Sequence, residues 1–274
     1  MLLTVCIPAT ILEKKIIFKT IRIKNELKKK VQFSIFLDGE DIFYDKSFIK
    51  RLKKNFNNPL IIFNKTKKNA GVSFARNKLI KSVKTPFLTF VDADDILTIN
   101  KNLLSRIDQC FKKNYELLIL QHESNGERSF DYNMSGEIKG KYIVNLVKKH
   151  LKFPKGNSII THCWSKVFST DFIKKNKIKF NEKYKVLEDY LFVANVFKNL
   201  KKAYISKNVY YYHSKNKLNY NYKMALRHLI YSKNYFLPVK IFSQIIKPKK
   251  MAHFYFNKAC KYWSIKQKKI IEII

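Results

Sequence analysis

The sequence contains no CxxC cysteine pair and no apolar run long enough to cross a bilayer. Its four cysteines, Cys6, Cys110, Cys163 and Cys260, are scattered along 274 residues. This scatter argues against a zinc site or a disulfide framework and favours a reducing cytoplasm. A membrane-spanning helix needs about 18 or more apolar residues in succession. The first seven residues lack a basic region and a small-residue cleavage site, so they predict a strand rather than a signal peptide.

Acidic residues are also scarce, because 20 Asp and Glu stand against 56 Lys and Arg, giving a formal net charge of +36. So basic a surface attracts phosphate-rich partners such as nucleic acid, anionic lipid headgroups or acidic glycans. The excess of Lys, Asn, Ile, Phe and Tyr is also what AT-rich codons supply in proteins of any function. Charge alone therefore does not choose the partner. The 46% of apolar residues is enough for a substantial core.

Short apolar runs alternate with lysine-rich amphipathic segments in the first half of the chain. The runs predicted as strands are Leu3–Ile7, Val31–Leu37, Leu60–Phe63 and Phe87–Val91. The segments predicted as helices are Ile11–Lys30, Ser47–Phe56 and Gly71–Val83. This alternation predicts an α/β fold with a mostly parallel sheet flanked by helices. Ligands bind such sheets at the carboxyl ends of the strands.

The second half is less regular. The Gly- and polar-rich stretch His122–Gly140 predicts a long loop or flap, and helical spacing returns at Lys141–Leu151. From Lys223 to Ile274, twelve Lys and Arg residues oppose a single acid, Glu272. We expect residues 223–274 to form a basic, helical C-terminal appendage.

Three carboxylates, Asp92, Asp94 and Asp95, follow the buried run Phe87–Val91. Carboxylates this close repel one another, and one would protonate unless a cation sat between them. A hard divalent cation such as Mg²⁺ or Mn²⁺ would serve, because it prefers oxygen ligands. A structural alternative is that Asp94 or Asp95 caps a helix that starts near Ile99.

The segment Asn69–Asn77 begins with a turn and continues into the predicted helix. It places Arg76 and Asn77 one turn beyond Gly71, where they would contact a nucleotide or hold the metal-binding loop. In isolation the segment would be an ordinary capped helix. It lies, however, in the same strand–helix frame as the three carboxylates.

Residues 69–97, NAGVSFARNKLIKSVKTPFLTFVDADDIL, closely resemble the signature of the inverting, GT-A-fold glycosyltransferases of family 2. That signature is N-x-G-x-x-x-A-R-N, a helix, and a strand ending in D-x-D-D. A weaker similarity covers about residues 1–215 and includes Val5–Pro8, Asp38-Gly39, Trp164–Phe168, Leu187–Phe192 and Tyr210–His213. The resemblance implies a Rossmann-like GT-A domain over residues 1–222, with a nucleotide-sugar-binding half (1–97) and an acceptor-binding half (98–222).

The same resemblance implies transfer of a sugar from a nucleotide diphosphate, with UDP as the expected nucleotide. The acceptor would be a glycan or a lipid-linked saccharide, as in lipopolysaccharide or capsule biosynthesis. Asp94 would be the principal ligand of Mn²⁺ or Mg²⁺, and His213 would complete the metal shell. Asp189 would be the general base, with its pKa raised by the charge of Glu188. Trp164 would form an apolar platform for the acceptor sugar. Donor contacts are expected from Pro8, Thr10, Asp38, Asp41, Asn69, Arg76, Asp92 and Ala93.

Several of these assignments have alternatives. The family's Asp-Asp-Gly-Ser motif has Leu37 and Glu40 at its first and last positions here, which makes Asp41 an alternative to Asp38 for the nucleobase. Glu188 and Asp189 would also begin a helix well, and Trp164 and His213 also have an explanation as packed side chains.

Two other classes of function follow from the charge. A nucleic-acid-binding protein is suggested by +36, but no nucleic-acid motif occurs and the acids concentrate where a phosphate backbone would be repelled. The basic, aromatic C-terminal region suggests attachment to the anionic inner face of a membrane. Such attachment is compatible with the enzyme, which would then be cytoplasmic and peripheral.

Overall fold

The fold follows from a computed structural model that describes residues 1–10, 16–39, 45–64, 69–124, 127–128, 135–152, 158–184 and 187–214, with 238, 240–241, 244–246 and 257. The strands are β1 (Leu3–Thr10), β2 (Ile21–Ile23), β3 (Val31–Asp38), β4 (Leu60–Phe63), β5 (Phe87–Phe90), β6 (Ile96–Ile99), β7 (Leu117–Ser124), β8 (Glu127–Arg128), β9 (Gly136–Lys139), β10 (Lys166–Ser169) and β11 (Lys202–His213). The helices are α1 (Asn25–Lys28), α2 (Lys46–Asn55), α3 (Val72–Ser82), α4 (Lys101–Lys112), α5 (Lys141–Lys152), α6 (Ser158–Thr161), α7 (Thr170–Lys175) and α8 (Glu188–Asn199).

These strands form one mixed sheet in the order β2-β6-β11-β7-β10-β5-β1-β3-β4, with β8 added to β7 and β9 to β11. The predicted parallel part is β5-β1-β3-β4. Next to it, β10 runs antiparallel to both β5 and β7. The carboxyl ends of β1, β3 and β5 therefore meet at one edge of the sheet, which confirms the predicted α/β class.

Apolar side chains cover both faces of the central strands, which explains why β1 and β3 are almost continuously apolar rather than alternating. One core cluster joins the sheet to α3, α5 and α8 through Leu79, Val147 and Phe192. The other joins it to α2 and α4 through Leu52 and Ile107.

The predicted strands all appear, and the predicted helices Ser47–Phe56, Gly71–Val83 and Lys141–Leu151 correspond to α2, α3 and α5. The prediction of one helix over Ile11–Lys30 is wrong over its described part. A single 3₁₀ turn (Ile17–Lys19), β2 and α1 occupy residues 17–28. The reason is tertiary, because Ile21 and Ile23 pair in parallel with β6, and three residues are too few to show a strand period in the sequence.

The loop predicted over His122–Gly140 is also partly wrong. Strand β7 continues through Ser124 beside β11, and β9 pairs antiparallel with β11. Residues 125–126 and 129–134 lie outside the described residues.

Most of the expected C-terminal appendage, residues 223–274, also lies outside the described residues. Of the few positions described there, Ile246 is buried in the core cluster that contains α8. The described cysteines Cys6, Cys110 and Cys163 are free and buried. In the described part of the chain, no helix has the length and apolar character required to traverse a lipid bilayer.

A first prediction concerns the start of α4. Asn100 caps this helix by accepting a hydrogen bond from the backbone N–H of Leu103 at 2.9 Å, so neither Asp94 nor Asp95 has the capping role considered above. Asn100→Ala should lower the free energy of unfolding by about 1 kcal/mol in a denaturant titration. Asn102→Ala, an exposed change in the same helix, is the control. Equal stability of the Asn100 variant and the wild type would show that the cap contributes nothing.

Candidate active site

A cavity of about 280 Å³ opens at the sheet edge where β1, β3 and β5 end. Its lining comes from these strand ends and from the start of α3: Pro8, Ala9, Thr10, Asp38, Asn69, Val72, Ala75, Arg76, Asp92, Ala93 and Asp94. Every residue expected to contact the donor is in this set except Asp41, which lies outside the described residues. Two larger clefts, near Met1 and near Lys177, gather none of the expected site residues.

Asp38, at the end of β3, organises the turn before α3. Its carboxylate accepts hydrogen bonds from the backbone N–H groups of Ala70 and Gly71, both at 2.9 Å, and from the Asn64 side chain at 2.7 Å. Gly71 has a φ of 88°, which a side chain would disfavour. The carboxylate expected to meet the nucleobase is therefore also the anchor of the turn that forms one wall of the cavity.

Arg76, on α3, is the centre of the site. Its guanidinium is 3% exposed and contacts three carboxylates: Asp92 at 2.8 Å, Glu188 at 3.3 Å, and Asp189. Asp189 also accepts a hydrogen bond from the backbone N–H of Cys163 at 3.3 Å. Arg76 thus holds Asp92, in the loop expected to bind the metal, and it also lines the cavity where a nucleotide contact was expected.

The charges in this cluster affect one another strongly. Burial would lower the pKa of Arg76, but the carboxylates of Asp189, Asp92 and Glu188 outweigh it and hold the pKa well above its usual value. Burial and the neighbouring charge of Asp189 raise the pKa of Glu188 to about 7. Burial also raises the pKa of Asp92, although Arg76 opposes this. Glu188 therefore titrates near neutral pH.

Asp95 has a separate network at the end of β11. Its buried carboxylate accepts hydrogen bonds from the Tyr211 hydroxyl at 2.5 Å and from the backbone N–H of Ser214 at 2.8 Å. His213 Nδ1 lies 3.0 Å from Asp95 Oδ1. Because an ionised carboxylate can only accept hydrogen bonds, the hydrogen in this bond belongs to Nδ1 of the imidazole. The other ring nitrogen, Nε2, takes no part in it. The hydrogen bond to Asp95 raises the pKa of His213, and the charges of Asp92 and Asp94 add to the effect.

The expectation that Asp92, Asp94 and Asp95 converge on one cation is wrong. Asp92 pairs with Arg76, Asp95 is held by Tyr211 and His213, and Asp94 lines the cavity. Among the residues described, no three His, Cys, Asp or Glu side chains are placed to hold a metal. Asp94 and His213 carry a carboxylate oxygen and an oriented imidazole, which are donor types that suit part of a metal shell, and phosphates and waters would supply the rest.

Trp164 lies beside this network and is only 5% exposed. The rings of His162, His213 and Tyr211 lie parallel to the indole with centroids 4.5–5.0 Å away, and His122 meets it edge-on. The indole therefore offers almost no surface to an acceptor sugar, contrary to the expected platform. Its observed contacts hold the imidazole of His213 and the ring of Tyr211.

Sequence reasoning missed the support given by Phe180 and Tyr211. Asn77 exchanges hydrogen bonds with the backbone of Phe180 at 2.9 and 3.0 Å, so it holds this segment rather than a ligand. The Phe180 ring packs on Phe192 and lies under the Arg76 guanidinium, 5.3 Å away. No local sequence signal marks Phe180, whereas Tyr211 stands in the quoted Tyr210–His213 motif.

With this geometry in place, comparison with known proteins identifies the class. The family model described as glycosyl transferase family 2 matches residues 4–175. The chain belongs to this family.

Curated relatives include the poly(ribitol-phosphate) β-N-acetylglucosaminyltransferase TarP of Staphylococcus aureus, 30% identical over 164 residues, which are 56% of this chain and 45% of the relative. The processive diacylglycerol β-glycosyltransferase of Mycoplasma genitalium is 29% identical over 144 residues, 49% of this chain and 41% of the relative. The chain thus matches less than half the length of each.

Among solved structures, S. aureus TarS (residues 1–349) in complex with UDP-GlcNAc has a TM-score of 0.65 at 16% identity. The similarity covers 93% of this chain and 70% of that one. A mannosyltransferase of Pyrobaculum calidifontis, in complex with GDP-Man and Mn²⁺, has a TM-score of 0.59 at 12% identity, over 99% of this chain and 74% of that one. The fold is therefore that of the GT-A glycosyltransferases, as the resemblance implied.

A second prediction follows from the raised pKa of Glu188. The pKa of Glu188 is about 7 in the folded protein, against about 4.5 for an ordinary glutamate. Between these two pH values the folded protein keeps the proton while the unfolded protein loses it. The stability of the wild type therefore falls as the pH rises from about 4.5 to about 7. Glu188→Gln should therefore gain stability relative to wild type between pH 4.5 and 7, by about 1–3 kcal/mol. Thermal melts across this range test it. Glu182→Gln, which alters an exposed carboxylate that accepts from Asn77, is the control. A constant difference at all pH values would contradict the prediction.

Proposed function

We propose that this protein transfers a sugar from a nucleotide diphosphate sugar, with UDP as the nucleotide, to a hydroxyl group of a cell-surface glycan or glycolipid. The observation that carries the proposal is the cavity in which the ends of β1, β3 and β5 gather the expected donor-binding residues beside Asp189. Family membership supports the reaction class, and the nucleotide sugar bound by TarS supports the donor class.

The departing diphosphate would be held at the edge where Asp94 and His213 lie. A divalent Mn²⁺ or Mg²⁺ ion bound there would neutralise the negative charge that develops on the leaving group. Asp94 would supply a carboxylate oxygen and His213 its Nε2, oriented by the hydrogen bond from Nδ1 to Asp95. Tyr211 and Ser214 support this arrangement by holding Asp95 in place.

Asp189 is the proposed general base. It stands in the first turn of α8, where the helix dipole stabilises a carboxylate. Arg76 and the backbone N–H of Cys163 fix its orientation. It would take the proton from the acceptor hydroxyl while that oxygen attacks the anomeric carbon opposite the diphosphate, so a single displacement inverts the configuration. Glu188 lies beside it, holds a proton below about pH 7, and so limits the negative charge around Arg76.

The acceptor class rests on the relatives. By name, TarP acts on poly(ribitol phosphate) and the M. genitalium enzyme on diacylglycerol. Poly(ribitol phosphate) is a polyanion, and diacylglycerol is a lipid that resides in a membrane. A chain with a net charge of +36 suits such surroundings. We therefore include peripheral association with an anionic membrane surface in the proposal.

A third prediction tests donor binding. With Mn²⁺ present, UDP should raise the melting temperature of the wild type, because a ligand at about 100 times its Kd stabilises by about 2.7 kcal/mol. Asp94→Ala should lose most of this gain, whereas Asp108→Ala on the exposed face of α4 should keep it. Panels of UDP, GDP and dTDP sugars would identify the base. Full retention of the Mn²⁺-dependent gain in Asp94→Ala would remove Asp94 from the metal site.

A fourth prediction separates chemistry from binding. Asp189→Asn retains an oxygen that can accept from Arg76 but cannot take a proton. The release of UDP from UDP-GlcNAc or UDP-glucose should fall by about 10²–10⁴-fold, while UDP binding stays within a few-fold of wild type. Asp171→Asn, in the first turn of α7, is the matched control. An Asp189→Asn variant that releases UDP at the wild-type rate would show that another group is the base.

A further inference from the structure

Lys166, the first residue of β10, is 1% exposed. A lysine usually extends its ammonium group to water, and burial of that charge costs several kcal/mol unless an anion compensates it. Burial lowers the pKa of Lys166 to about 7, while Cys163 and Asp189 act in the opposite direction. A side chain so costly to bury requires an explanation from its surroundings.

The geometry of β10 shows towards which side of the sheet the Lys166 side chain points. Side chains two residues apart on a strand point to the same face, so Lys166 shares a face of β10 with Phe168. Phe168 packs on Phe192 of α8, with ring centroids 5.6 Å apart. Lys166 therefore points towards the layer that contains α8, whose first turn carries Asp189.

The segment before Lys166 is fixed at several points. Ser165 has a φ of 58° and its hydroxyl donates to the carbonyl oxygen of Leu120 at 2.8 Å. The hydroxyl of Thr89 donates to the carbonyl oxygen of Lys166 at 2.7 Å. Two residues before Ser165, the backbone N–H of Cys163 donates to Asp189. The same short segment thus carries both a hydrogen bond to the proposed base and the buried lysine.

The charge balance of the site supplies the reason. Arg76 is the cation that contacts the carboxylates of Asp92, Glu188 and Asp189 in the described part of the chain. When Glu188 is protonated, Arg76 still faces two negative charges. Below about pH 7, where Lys166 is protonated as well, this second cation within electrostatic range of Asp189 brings the balance to zero. His122 and His162 also lie near Lys166, and burial keeps both of their pKa values low, at about 3 and about 4, so neither supplies that cation at neutral pH.

We propose that Lys166 is a positioning residue for Asp189: its buried ammonium group balances the negative charge of the carboxylate cluster from the β10 side. The inference rests on the proposed function as far as catalysis is concerned. The proposed interaction between the charges of Lys166 and Asp189 belongs to the folded protein and is testable without turnover.

The catalytic part is tested with Lys166→Met and Lys166→Arg. In the release of UDP from UDP-GlcNAc with Mn²⁺, Lys166→Met should lower kcat by about 10-fold or more while KM stays within about twofold. The pH profile of kcat should also change, because the variant lacks the buried charge on the β10 side of the carboxylate cluster. Lys166→Arg should restore part of kcat. Lys174→Met, which removes a lysine bonded to the Val83 carbonyl, should change neither quantity.

The pairing itself is tested by a thermal-melt cycle of Lys166→Met, Asp189→Asn and the double variant. If the two charges interact, the double variant should melt higher than the sum of the two single shifts predicts. Additive shifts would overturn the inference, as would an unchanged kcat and pH profile in Lys166→Met. Equal losses of kcat, UDP binding and stability in both Lys166 variants would show a purely structural role. If wild type releases no UDP from any donor, the proposed function fails, and the melt cycle still decides the pairing.

Discussion

The site depends on the ion pairs of Arg76. This guanidinium joins α3, the end of β5 and the start of α8, because its partners Asp92, Glu188 and Asp189 come from different elements. Removing one partner of a buried ion pair leaves the other uncompensated, at a cost of about 3–5 kcal/mol. The cavity at the ends of the parallel strands and the first turn of α8 are therefore held together by one side chain, whose aromatic support comes from Phe180.

A second network fixes the other side of the cavity. Asp95 ties the end of β5 to the end of β11 through Tyr211 and His213, and Trp164 packs on both of these rings. The two networks contain carboxylates that are close in sequence, Asp92 and Asp95, but these carboxylates have different kinds of partner. Asp95 accepts from uncharged donors and from an imidazole, whereas Asp92 meets a permanent cation. Carboxylates only three positions apart thus acquire different chemistry, because the side chains that face them differ.

Sequence alone predicted the sheet edge well and its internal contacts poorly. The end of an apolar run locates Asp38, Asp92 and Asp94 at the carboxyl edge of the parallel strands, because strand direction and ligand position are coupled. The contacts that define their roles are non-local. Arg76 and Asp189 are 113 residues apart, and Tyr211 and Asp95 are 116 apart. Without an alignment, no local pattern reports such pairs, so the three acids were expected to share one cation, although Asp92 and Asp95 each have a separate partner.

The balance of charge connects the surface to the site. A nucleotide diphosphate would be drawn to a protein of net charge +36, but within the proposed cavity it would approach Asp92 and Asp94. Lysines on the surface do not relieve this repulsion, because solvent screens them beyond about 10 Å. Compensation has to be local and buried. Arg76 supplies it at Asp92 and Asp189, and a cation at Asp94 and His213 would supply it where the diphosphate leaves. The abundance of basic residues thus affects how an anionic ligand first reaches the protein, while a few fixed charges inside the cavity affect the chemistry.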